Sequence, residues 1–288
     1  MESITDLRAK VQAPVAKYND VAGYLLGDRI SIHVTRLFIT MGWSPTVATL
    51  SMLAFGLAGS VLIPFDGVYA VVGFALVFAY YICDCVDGEV ARYHHREKLI
   101  WGFHDFLFHL YVKSAFFVCL GIYGARFSGH AWVFFFGLGA LLASLFQKFL
   151  QDLSLILTTR YVLLRGREEN EHFVRQLLAE PAASPSSIAA SEPEPYTPRG
   201  FLPFVRAALT NFDLAVVLFG IAALADLFVQ PFEIYTLHGN CKIALLLFYG
   251  VVIPLDYFDH LVTHLRTERF RRDAARLLRR ADQFRIDR

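Results

Sequence analysis

The chain is poor in charge. Of its 288 residues, 18% are Asp, Glu, Lys or Arg, against roughly 25% in an ordinary soluble domain. Hydrophobic residues make up 56%, and the mean hydropathy is +0.44. That balance excludes a free-standing water-soluble domain. A disordered chain is excluded as well, because such segments are short of the aromatics present here, 27 Phe, 13 Tyr and 3 Trp. Cysteine is scarce, and four in this length are too few for a disulfide framework. A net charge of +1 offers no general polyanion surface, so nucleic acid is not an expected partner. The N-terminal stretch from Met1 to Asp20 lacks an apolar core, so no signal peptide is expected there. No internal repeat is visible.

What the sequence does have is long apolar runs. A membrane-crossing helix needs roughly 20 mostly apolar residues, and such runs begin near Pro45, Tyr69, Phe103, Ala131, Phe212 and Lys242. The run from Tyr69 is short unless it continues through Asp84 and Asp87. The expected fold is an all-α integral membrane protein of six transmembrane helices. An N-terminal juxtamembrane helix lies within residues 1–44, the membrane domain spans 45–264, and a basic tail covers 265–288. Residues 178–200, rich in Pro, Ser and Ala, read as a flexible cytoplasmic linker. The tail carries nine Arg from Arg266 to Arg288 with apolar residues at helical spacing. It reads either as an amphipathic helix on anionic lipid or as a solvated charged helix.

Lys and Arg are distributed unevenly among the connections. Arg8, Lys10, Lys17, Arg29 and Arg36 precede the first run, and Arg92, Arg96 and Lys98 follow the second. The fourth-to-fifth connection holds Arg160, Arg165, Arg167, Arg175, Arg199 and Arg206, while the opposite loops hold little beyond Arg126 and Lys242. Positive charge marks the cytoplasmic side. The expectation is therefore a multi-pass protein of a plasma membrane, such as a bacterial inner membrane, with both termini cytoplasmic.

Ionisable residues inside a membrane are costly and mark function by default. They concentrate in YYICDCVDGEVARYHHREKLIWGFHDFLFH. At roughly 100° per residue, Asp84, Asp87, Gly88, Ala91 and Arg92 share one stripe of a helix, and Glu89 falls outside it. Asp105 and His109, four apart, share a face of the next helix. Two adjacent helices then present three Asp and one His to a common cleft. Carboxylates packed so closely repel, and burial adds to the cost. A hard divalent cation removes both difficulties, since Mg²⁺ or Mn²⁺ takes oxygen ligands and shares its shell with phosphates. Metal-assisted phosphoryl transfer is the chemistry that results.

The spacing resembles the signature of the CDP-alcohol phosphotransferase family, D-x2-D-G-x2-A-R-x8-G-x3-D-x3-D. Asp84, Asp87, Gly88, Ala91 and Arg92 match its first half, Asp105 stands at its third Asp, and His109 stands where the fourth belongs. The stretch from Arg29 to Thr49, with Pro45 ahead of Thr49, is similar to the family's approach to its first span. The resemblance covers residues 17–260. It implies an enzyme that cleaves the pyrophosphate of a CDP-linked donor, such as CDP-diacylglycerol or another CDP-alcohol. CMP is released and the phosphoalcohol passes to an acceptor hydroxyl, as in phospholipid biosynthesis. It further implies a homodimer among membrane lipids and two divalent cations, Mg²⁺ or Mn²⁺, on Asp84, Asp87 and Asp105. Asp84, Gly88, Ala91, Arg92 and the stretch from Thr46 to Thr49 would line the CDP site. Position 109 would be the general base for the acceptor.

The chain departs from the signature at Trp101, where the family has Gly (Gly102 is adjacent), at Lys98, and at His109. Trp101 would reshape the acceptor entrance. His109 would act as base, since imidazole titrates near neutrality, or bind metal with a softer preference for Mn²⁺ or Zn²⁺, or mark a relative that has lost activity. Two other readings stand beside the transferase: a non-catalytic lipid-binding relative on the same scaffold, and a divalent-ion transporter. Cys83 and Cys85 read as packing residues, and His94 and His95 as a solvated loop or a phosphate contact. Lys113 and Lys148 read as ligands for an anionic acceptor or as side chains snorkelling to an interface. Asp256, Asp259, His260 and His264 read as a second polar cluster or as the capped end of the last span.

Overall fold

The computed structural model describes residues 2–18, 21–95, 99–164, 201–234 and 236–266. The chain opens with short helical pieces. Helix α1 (Ile4–Val11) begins at Ser3, whose hydroxyl accepts from the Asp6 amide at 3.1 Å in the manner of an N-cap. A 3₁₀ segment (Ala13–Tyr18) and a π-helical turn (Gly23–Gly27) precede α2 (Asp28–Met41). Leu7 and Val11 of α1 and Ile32 of α2 are buried together, with Ile4, Ile39 and Tyr93 packed around them.

The long helices follow: α3 (Pro45–Leu62), α4 (Val68–Tyr93), α5 (Leu99–Ser128) and α6 (Phe134–Leu164). After the linker region come α7 (Phe201–Thr210), α8 (Phe212–Ala225) and α9 (Cys241–Arg266). Pro45 sits in the first turn of α3, where its missing N–H goes unneeded. Helix α4 runs without a break past Asp84 and Asp87 to Tyr93, so the second apolar run is a full span.

Five helices among the described residues are long and apolar enough to cross a membrane, so the chain has the make-up of a multi-pass membrane protein. The run expected from Phe212 forms α8, whose 14 residues reach the length of a span only together with the helix before it. Phe204–Thr210 and Phe212–Ala225 meet at a 72° bend. Asn211 causes the break, for its backbone is extended and its side-chain oxygen accepts from the Leu214 amide at 3.0 Å. It thereby starts α8 as a new helix instead of continuing α7. All the long elements are helices, as expected, and one short hairpin is added to them. Strands β1 (Phe232–Ile234) and β2 (Leu237–Gly239) pair antiparallel between α8 and α9. Asp226 closes α8 as its C-cap and accepts from the Cys241 amide at 2.8 Å, tying the start of α9 back to the end of α8. The linker at 178–200 and the basic tail beyond Arg266 lie outside the described residues.

The described residues fall into two compact units, divided at Leu141/Leu142 within α6 and at Val252/Ile253 within α9. In the larger unit α3 and α4 pack closely. A Cβ added to Gly59 would lie 2.6 Å from the Gly73 carbonyl oxygen, and one added to Gly73 would lie 2.8 Å from that of Gly59. Small residues at a helix crossing let the two backbones touch, a common device between membrane helices. Phe74 of α4, Phe116 of α5 and Phe219 of α8 form a buried aromatic trio, Phe74 stacked on Phe219 at 5.9 Å between centroids. In the smaller unit the Gln147 amide donates to the buried Asp256 carboxylate at 3.1 Å, and Phe146 stacks on Tyr257.

Candidate functional site

Helices α4 and α5 are consecutive, so the end of the first lies beside the start of the second. Asp84 and Asp87 project from the last third of α4, Asp105 and His109 from the first third of α5. His109 Nε2 is 3.0 Å from Asp84 Oδ1 and 3.4 Å from Asp105 Oδ1. One donor atom from each of Asp84, Asp105 and His109 falls within 4.8 Å of the others. All three side chains are half-buried.

Asp87 is used differently. It faces α3, where the Thr49 hydroxyl lies 3.0 Å from Asp87 Oδ2 and 3.1 Å from the Pro45 carbonyl oxygen. Both are acceptors, so one hydroxyl proton is divided between them. Thr49 stands on the same helix, α3, that meets α4 closely at Gly59 and Gly73. Thr46 is half-buried one turn earlier on α3. The structure therefore brings three of the four expected ligands into one group and holds the fourth beside it on Thr49.

Gly88, Ala91 and Arg92 follow on α4. Arg92 Nε donates to the Val11 carbonyl oxygen at 2.6 Å. Its terminal nitrogens lie over Gly88, where an added Cβ would stand 3.1 Å from Nη1, so the absence of a side chain at position 88 makes room for the guanidinium. His94 and His95 are exposed, and His95 has φ 51°. Cys83 is buried and Cys85 half-buried, both as free thiols. Lys113, one turn beyond His109 on α5, lies over the Phe212 ring at 5.2 Å, a cation–π contact. The side chains of Lys98, Trp101 and Gly102 lie outside the described residues.

In the smaller unit, His260 Nε2 stands 3.6 Å from Asp256 Oδ2. Asp256 is thus gathered with His260 and Gln147 instead of capping a helix end. Asp259 is exposed and His264 half-buried further along α9.

Two further residues of this region matter that the motif reading did not include. Tyr80 is fully buried, and its hydroxyl is hydrogen-bonded to His109 Nδ1. It lies four residues before Asp84, hence on the same face of α4, a spacing that was available in the sequence. Glu89 points the other way. It is 2% exposed, and its carboxylate accepts from Gln12 Nε2 at 2.8 Å, Ser31 Oγ at 2.5 Å and Thr35 Oγ1 at 2.6 Å. A buried carboxylate with three donors has its hydrogen-bonding capacity met, and it joins the N-terminal segment and α2 to the helix that bears the motif.

Three ligand-type atoms within coordinating distance, two of them carboxylate oxygens, form a donor set suited to a divalent cation. The spacing tests that fit. Two atoms each about 2.1 Å from one ion stand about 3.0 Å apart at a right angle and about 3.4 Å apart at the tetrahedral angle, which are the separations found at Nε2. No protein-family model and no curated protein matches the chain.

Proposed function

We propose that this protein is a membrane-bound phosphoalcohol transferase of the CDP-alcohol phosphotransferase type. The observation that carries the reading is the meeting of Asp84, Asp105 and His109 within 4.8 Å, on two apolar helices and beside an Asp87 held by Thr49. Such an acid group is costly in a membrane helix pair unless a cation is part of its working state.

Asp84 and Asp105 would hold a divalent cation with His109 beside them, and Asp87 would face a second. Bound there, the cations would supply charge to a pyrophosphate, stabilising the leaving phosphate and orienting the donor. The chain's own residues do the rest. Thr49 fixes the Asp87 carboxylate toward the site. Gly88 makes room for the Arg92 guanidinium, which a nucleotide would meet there in place of the bare helix. The terminal N–H groups of that guanidinium are the donors a phosphate would take. In the reaction an acceptor hydroxyl oxygen bonds to the phosphorus that carries the alcohol. The bond from that phosphorus to the CMP phosphate breaks, CMP leaves, and the acceptor proton passes to solvent. The acceptor would be a polar alcohol or a lipid headgroup hydroxyl, and a homodimer in a plasma membrane with cytoplasmic termini is the expected setting.

The test is CMP release by purified protein in detergent–lipid micelles, given CDP-diacylglycerol or a soluble CDP-alcohol and a panel of acceptor alcohols. Release should require Mg²⁺ or Mn²⁺ and should vanish in Asp87→Asn. Metal-independent release, or release unchanged by that substitution, would sink the reading.

A further inference from the structure

The ring of His109 has no nitrogen to spare. Nδ1 is taken by the hydroxyl of Tyr80, a side chain with no exposed surface. Nε2 is aimed between Asp84 Oδ1 at 3.0 Å and Asp105 Oδ1 at 3.4 Å. A general base must turn a lone pair toward the proton it removes. The only candidate lone pair here, on Nε2, points into two carboxylates, where an acceptor hydroxyl would have to displace both.

Three lone-pair atoms converging on one point also repel unless something positive sits among them. Either a proton on Nε2 or a metal ion meets that need. A proton on Nε2 serves Asp84 Oδ1 at 3.0 Å but reaches Asp105 Oδ1, at 3.4 Å, poorly. The metal satisfies all three atoms together, with Nδ1–H then donating to Tyr80 Oη. That arrangement is the usual one for a ligating histidine, whose second nitrogen is held by an outer partner that fixes the tautomer and the ring plane. Tyr80 comes from the same helix as Asp84, one turn earlier, so the ring is held from the helix opposite its own.

We infer that His109 is a metal ligand through Nε2, positioned by Tyr80, and not the acceptor's base. The Asp84–Asp105–His109 group is then a mixed oxygen–nitrogen site for a first-row transition dication such as Mn²⁺ in preference to Mg²⁺. The preference follows from the donor set. Imidazole suits transition dications, whereas Mg²⁺ favours all-oxygen shells and keeps its waters. The inference refines the transferase reading and rests on it for the role of the site, but the metal assignment has its own measurement.

That measurement is pulsed electron paramagnetic resonance of the purified full chain loaded with Mn²⁺, alongside isothermal titration with Mn²⁺ and Mg²⁺. Wild-type protein should show nitrogen modulation from a directly bound imidazole and should bind Mn²⁺ at least tenfold tighter than Mg²⁺. His109→Asp should lose the modulation and bring the two metals closer in affinity. Tyr80→Phe should keep the modulation while weakening Mn²⁺ binding by roughly ten- to a hundredfold, as loss of an outer-shell partner does. Wild-type protein that binds no Mn²⁺, or binds it without nitrogen modulation, overturns the assignment without help from any variant. Should nitrogen-bound Mn²⁺ be seen but no CDP-alcohol be turned over, the transferase reading falls and the metal site stands. Should CMP release depend on metal while nitrogen modulation is absent, the metal assignment falls and the transferase reading stands.

Discussion

Arg92, in the helix that carries the acidic motif, is bonded through Nε to the backbone oxygen of Val11, the last residue of the first helix, at 2.6 Å. One guanidinium thus serves two places, anchoring the N-terminal segment with one nitrogen and covering Gly88 with the others. Arg92→Ala should loosen the first helix. Trypsin should then cut after Lys10 faster than in wild type, and CMP release should fall. Arg92→Lys should restore little of either, because an ammonium lacks the forked geometry that reaches both sites. Unchanged trypsin cleavage in Arg92→Ala would show that the Val11 bond does not hold the segment.

Glu89 is the second anchor. Glu89→Ala would strand the donors of Gln12, Ser31 and Thr35 in a buried pocket, each at a cost of about 1–3 kcal/mol. Glu89→Gln keeps a carbonyl oxygen for two of them, and the Thr35 hydroxyl can turn to accept from its amide. Thermal unfolding in detergent, followed by tryptophan fluorescence, should place Ala well below Gln, and Gln close to wild type. Equal midpoints for the two variants would show that the carboxylate network is not what joins these helices.

Thr49 holds Asp87 by a hydrogen bond to a charged group, a class worth about 1.5–3 kcal/mol. Thr49→Val keeps the shape and removes the bond, so CMP release should fall by roughly ten- to a hundredfold. Thr49→Ser should keep most of the activity. A valine variant as active as the serine variant would separate Thr49 from the site.

Gly59 and Gly73 let α3 and α4 meet closely, and Thr49 and Asp87 stand on the same two helices. Gly59→Ala puts a methyl group against backbone, which cannot swing aside, and overpacking of this kind costs about 1–3 kcal/mol. The variant should melt lower and release CMP more slowly. Gly220→Ala is the control, for its added Cβ would meet nothing nearer than 3.5 Å, and it should leave both measurements unchanged. Equal losses in the two variants would remove the close crossing from the account.

Much of this was legible in the sequence, for reasons that differ from place to place. The spans at α3, α5, α6 and α9 followed from apolar length alone, and α4 became a full span by continuing through Asp84, Asp87 and Glu89, because nothing in CDCVDGEVARY breaks a helix. Helical period also brought Asp84 onto one face with Asp87 and paired Asp105 with His109. Period failed where partners come from far along the chain. Glu89 lies off the stripe, but its three donors are 54 to 77 residues away, and no local pattern points to them. It failed again within the stripe, since residues that share a helix face can still meet different neighbours. Asp84 turns to α5 and Asp87 to α3. The run expected from Phe212 starts where α8 starts, and the bend to α7 went unread because a polar side chain such as Asn211 can cap a helix as well as sit in one. Composition does not distinguish those uses.

The bend at Asn211 has a consequence for α8 in a bilayer. Fourteen residues of α8 measure about 21 Å, well short of the roughly 30 Å hydrocarbon layer. At the bend the Thr210 hydroxyl donates to the Arg206 carbonyl oxygen, and Asn211 accepts from the Leu214 and Ala215 amides. Hydrocarbon has no group that can bond them, and each one left dry is costly. A polar cap built into the bend thus gives α8 a start that needs fewer partners from its surroundings, whichever depth the elbow occupies.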